Sequence, residues 1–133
     1  MPKSITLRLL SIALIAISPL CVSEALAQEF SLKPNESVDL FPVYWIKDCR
    51  SLLTSFASAD VLDGPAGVTI AIREEDVLPQ RQGCSTKVHG GVVVASVKEI
   101  PAKISGTLRF RVRYNTPDGL KQSNHVVQVS LYP

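Results

Sequence analysis

The sequence predicts an all-β fold, a sandwich of two antiparallel sheets built from about seven strands and closed by one disulfide, on three observations. Apolar residues recur at every second position in several short segments, turn-forming residues separate those segments at intervals of about 10–15 residues, and two cysteines remain once an N-terminal leader is set aside. The length of 133 residues fits one domain, and a chain that is 46% apolar and 20% charged has the composition of one that packs a core.

Residues 1–27 read as a signal peptide. Lys3 and Arg8 make a basic start, residues 9–20 are apolar apart from small residues and Pro19, and Ala25-Leu26-Ala27 is an A-x-A cleavage site. The apolar run is about a dozen residues, short of the roughly 20 that span a bilayer, so no transmembrane segment is expected after cleavage. Bulky Leu20 before Cys21 argues against lipidation at that cysteine. The reading is therefore a β-sandwich domain of residues 28–133, periplasmic or secreted.

Losing Cys21 with the leader leaves Cys49 and Cys84, whose pairing is then forced. The loop that this bond closes is long enough for about 4 kcal/mol of chain-entropy stabilisation. A redox-active pair would favour C-x-x-C spacing, which is absent. Formal net charge is +2, and removal of Lys3, Arg8 and Glu24 lowers it to +1, which argues against a nucleic-acid binder.

The expected strands, in chain order, are 37–41, 43–47, a short 60–62, 68–73, 91–97, 108–114 and 127–131, with Pro42, Asp63-Gly64-Pro65, residues 79–83 and Pro101 as breakers. The clearest is Leu108, Phe110, Val112 and Tyr114 interleaved with Arg109, Arg111 and Arg113. It is followed by Thr116-Pro117-Asp118-Gly119 and by Val127, Val129 and Leu131, which together predict a β-hairpin. Asp48 followed by Leu52, Leu53, Phe56 and Ala57 has helical spacing with an N-cap; a short helix near residues 49–57 and a long irregular connection both fit.

The run Gly106-Thr107-Leu108-Arg109-Phe110-Arg111-Val112, the Asp118-Gly119 turn and the final Val127-Gln128-Val129-Ser130-Leu131 resemble exported bacterial immunoglobulin-like domains. Such domains end in an F-x-Y/V-x-V strand, a D-G turn and a V-x-V-x-L strand. The likeness covers the last third of the chain. It implies an immunoglobulin-like antiparallel β-sandwich with a non-enzymatic binding or structural role, and it names no ligand. Trp45 precedes Cys49 and no Tyr-x-Cys precedes Cys84, so the antibody-type pattern is not met.

Arg109, Arg111 and Arg113 lie about 6.7 Å apart along one strand face, two rises of roughly 3.3 Å, with Lys121 and Gln128 on the partner strand placed to join them. Guanidinium forks grip carboxylate and phosphate bidentately, so this stripe is the candidate site for a protein or acidic glycan partner of the envelope. The competing reading is a solvated face whose arginines pair with Glu74, Glu75 and Asp76 on a neighbouring strand. Phe41, Tyr44 and Trp45 read first as core and second as a recognition surface. His89 and His125 have no companions at ligand spacing and read as exposed strand positions; Gly90-Gly91 reads as a turn. No G-x-S-x-G, H-E-x-x-H or phosphate-cradling loop occurs, so the expectation is a non-enzymatic chain with no cofactor and no metal site. Two alternatives stand beside the arginine face: a subunit that pairs through an edge strand, and a small hydrolase or hydrolase inhibitor.

Overall fold

A computed structural model describes residues 28–81 and 83–133, and the signal-peptide reading with Cys21 lies outside them. The described residues form nine strands, in order β1 (Glu29–Leu32), β2 (Ser37–Val43), β3 (Ile46–Lys47), β4 (Arg50–Ser51), β5 (Ser55–Asp63), β6 (Val68–Val77), β7 (Val88–Val97), β8 (Ile104–Thr116) and β9 (Gly119–Leu131). They form a four-stranded sheet in the order β1-β9-β8-β5, a three-stranded sheet β2-β7-β6, and a small β3-β4 hairpin. The two larger sheets face each other as a sandwich, and the expected all-β class is correct.

The β8-β9 hairpin organises the four-stranded sheet. Pro117 and Asp118 fill its turn, Thr116 pairs with Gly119, and Gly119 takes φ +108°, the left-handed region open to glycine. Leu108, Phe110, Val112 and Tyr114 of β8 and Val127, Val129 and Leu131 of β9 face inward and are almost wholly excluded from water. Opposite them, Val93, Ala95 and Val97 of β7 and Val68 of β6 make the second wall of the core. Strand alternation thus puts the named residues, at every second position of each run, on one side.

Two departures come from edges. The β1 strand, which the sequence pattern did not single out, pairs parallel to β9 and buries Leu32 completely. Pro42 does not end a strand; it lies inside β2, an edge strand whose one ladder partner among the described residues is β7, where a proline is tolerated. A bulge at Leu40 shifts the register between Asp39 and Phe41. That extra residue lets Val38, Phe41 and Val43 all pack against the core although their spacing is not a strict alternation.

The short helix near residues 49–57 is not formed. This segment contains β4 and the start of β5, and the tight β3-β4 hairpin turns through Asp48 and Cys49 at φ +52° and +61°. A two-residue loop between antiparallel strands asks for left-handed conformation at both central positions. Cys49 is held there by its disulfide to Cys84, with Cα atoms 5.4 Å apart. Leu53 then enters the core and Phe56 meets Tyr114 across the β5-β8 ladder, so tertiary packing overrides the helical spacing.

Gly90 and Gly91 form no turn. Both lie within β7, the middle strand of its sheet. A Cβ on Gly90 would stand 2.6 Å from the Val43 carbonyl oxygen and 2.7 Å from Val77 Cγ2, and one on Gly91 would stand 2.6 Å from Ile72 Cγ2. Because backbone cannot yield as a side chain does, Gly90→Ala is expected to lower stability by about 1–3 kcal/mol, read from the urea midpoint. An unchanged midpoint would show that β2 and β7 separate without cost.

Candidate functional site

Two surfaces gather chemically active side chains. The first is the outer face of the four-stranded sheet, where strand alternation sends Arg109, Arg111 and Arg113 away from the core. Cross-strand register sets Arg109 beside Asp63 and Val126, Arg111 beside Asp60 and Asn124, and Arg113 beside Ser58 and Gln122. The acids facing the stripe are therefore those of β5. Glu74, Glu75 and Asp76 belong to β6 in the other sheet, where Arg73 grips Asp39 through both terminal nitrogens at 3.1 and 2.8 Å. That fork holds the Asp39 carboxyl below its ordinary range.

Arg111 reaches Asp60 at 3.9 Å, a long contact for an ion pair. Among the described residues, no carboxylate lies within 4.0 Å of the Arg109 or Arg113 guanidinium. Among the described residues, the covered Nε atoms of Arg111 and Arg113 have no hydrogen-bond partner. Both are partly buried, whereas Arg109 is exposed. Gln128 shares this face and exchanges hydrogen bonds with Thr107. Lys121 does not: it pairs with Tyr114 and so stands on the inward side of β9.

The second surface was not recognised as a site in the sequence. Beyond Val127 the inward positions of β9 change from valine to His125, Ser123 and Lys121, and the sandwich opens at that end into a cavity of about 320 Å³. Trp45 and Tyr44 line one side, Tyr114, Ser123 and His125 another, and Arg81 supplies a cation from the loop before β7. The Tyr114 hydroxyl and Ser123 Oγ are 2.6 Å apart, and Ser123 Oγ and His125 Nε2 are 2.7 Å apart. The imidazole packs against the rings of Phe41, at 4.9 Å, and Phe110, at 5.2 Å.

His125 is thus half-buried and not the exposed strand residue that the sequence predicts. Desolvation holds its pKa below the ordinary value, and burial pushes the Tyr114 phenol up, so both groups stay neutral near pH 7. Phe41 and Trp45 serve core and cavity together, since Phe41 stacks on Phe110 and Trp45 packs against Tyr114 at 5.4 Å. A nucleophilic serine needs a base that a third group orients. Among the described residues no carboxylate hydrogen-bonds to His125, and no group of three His, Cys, Asp or Glu side chains is placed to hold a metal ion.

Two ties brace this cavity. The Tyr44 hydroxyl accepts a hydrogen bond from the Gln80 amide at 2.9 Å, and the Cys49–Cys84 bond joins the β3-β4 hairpin to the same loop. Comparison with protein-family models, curated proteins and solved structures returned no match.

The inward His125 gives a pH signature. Its folded pKa lies below the unfolded value near 6.5, so its contribution to stability is complete above that value and is lost as pH falls from there through the folded pKa. The groups around it are the Phe41 and Phe110 rings and Ser123, with Arg81 the cation that shares its cavity. Melting temperature is expected to fall more steeply below pH 6.5 in the wild type than in His125→Gln. Parallel curves would show that His125 does not titrate differently on folding.

Proposed function

We propose that the protein is an exported, non-catalytic binding domain of the cell envelope, immunoglobulin-like in its sandwich, that holds an acidic partner on the face formed by Arg109, Arg111 and Arg113. The observation that carries the reading is the imbalance on that face: three guanidinium heads in line, with one long ion pair to Asp60 among the described residues. Planar forks at strand spacing match a run of carboxylates or phosphates, and the flat sheet keeps them in register without a loop to order. Export is supported by the leader pattern in the sequence and by a disulfide between the two cysteines left after it.

Edge-strand pairing is the less favoured reading. The β6 edge carries Arg73, Glu74, Glu75 and Asp76, β2 has Pro42 and a bulge, β5 has irregular register near Ala57 and Leu62, and β1 is four residues long. Each of these features discourages a further strand from joining the ladder.

The test is a crosslinking capture from the native envelope with wild type beside the Arg109, Arg111, Arg113→Ala variant. Recovery of a specific partner is expected to drop at least tenfold in the variant and to weaken with added salt, while the melting temperature stays close to wild type. Asp60→Asn, which removes the one facing carboxylate within 4.0 Å, is expected to strengthen capture. A folded triple variant that retains the same partners would overturn the assignment of this face.

A further inference from the structure

We infer that the cavity at the open end of the sandwich is a second binding site, one that takes a single hexuronate-type sugar acid. Three independent observations lead there. Arg81 is exposed and supplies the formal charge in the lining, so the pocket selects an anion. Trp45 and Tyr44 bring aromatic surface to the same space, against which the apolar C–H face of a pyranose packs. The third is the hydrogen-bonded run of Tyr114, Ser123 and His125.

That run has a property suited to hydroxyl groups. If the imidazole carries its proton on Nδ1, the protons point from Tyr114 through Ser123 to His125, and the phenol oxygen is left as an acceptor. If the proton sits on Nε2, the run reverses and the phenol O–H is left as a donor. The imidazole is kept neutral by burial, so both directions are open to it. A sugar hydroxyl is both donor and acceptor, and it meets either state.

Size sets the limit. At about 320 Å³ the cavity lies at the small end of ligand pockets, roughly 300–1,000 Å³, so the occupant is one ring and not a chain. The arrangement is also fixed in place. Arg81 and Trp45 are 36 positions apart in sequence, yet the loop of the one is joined to the hairpin of the other by the Cys49–Cys84 bond and by the Gln80 amide on Tyr44. Preorganisation of this kind lowers the entropy lost on binding.

Trp45 is the one tryptophan of the chain, so tryptophan fluorescence is read from a wall of this cavity. Titration of the oxidised protein with sodium glucuronate is expected to give a saturable change, with glucose at least tenfold weaker. Arg81→Gln is expected to weaken glucuronate at least tenfold, and Ser123→Ala several-fold. Arg81 is exposed, so its variant folds and the comparison stays informative. The triple alanine variant of the outer face is expected to bind glucuronate as wild type does, which separates this site from the arginine face. Absence of a saturable change, or an unchanged response in Arg81→Gln, would overturn the site. Benzoate binding as tightly as glucuronate would overturn the sugar as its ligand.

Discussion

Leu108, Phe110 and Val112 lose all contact with water, and the other strands are placed so that this happens. Burying an aliphatic or aromatic side chain of this size contributes about 1.5–3 kcal/mol, which for three adjacent positions is a large part of what holds a small domain folded. Covering them requires a partner on each side within the sheet, supplied by β9 and β5, and a second layer, supplied by β7 and its neighbours. Because side chains alternate along a strand, the same requirement sends Arg109, Arg111 and Arg113 to the opposite face. The cationic stripe is a geometric consequence of the core.

The core does not run the length of the hairpin. Tyr114 is its last fully packed residue on β8; on β9 the valines give way to histidine and serine before the turn is reached. Two sheets that diverge beyond the last large apolar pair leave a space that must be wet, closed or occupied. Here it is bordered by rings from the segment after β2 and by a loop tied down at two points. Core and cavity therefore share residues: Tyr114 fills one and edges the other.

Much of the fold was legible where one physical pattern acted alone. The inward face of β8, the end of β9, the Pro117-Asp118 turn and the disulfide follow from alternation, turn chemistry and cysteine count. Legibility failed where two requirements overlapped. Residues 121–125 are polar on both sides, because their inward positions face a cavity, and so they carry no strand signal although they continue β9. The spacing of Leu52, Leu53, Phe56 and Ala57 imitates a helix because a hairpin, a disulfide and a new strand happen to place apolar residues three and four apart. Gly90 and Gly91 mark close approach of backbones, which one sequence cannot distinguish from a turn. Of the candidate sites, the arginine stripe was visible as a local pattern. The cavity was not, since its residues come from four separate stretches of chain.

The Cys49–Cys84 bond does more than restrict the unfolded chain. It spans the gap between the hairpin that follows Trp45 and the loop that holds Arg81, so the two walls of the cavity are one covalent unit only when the sulfurs are joined. A reduced chain still has the inward face of β8 and the ladder beside it, and the loop before β7 then keeps the Tyr44 hydrogen bond without the covalent tie. Oxidation thus links the Arg81 side of the cavity to the hairpin beside Trp45 as well as closing a loop of the fold. A chain whose sulfurs are apart carries the residues of the pocket with one tie fewer between its two sides.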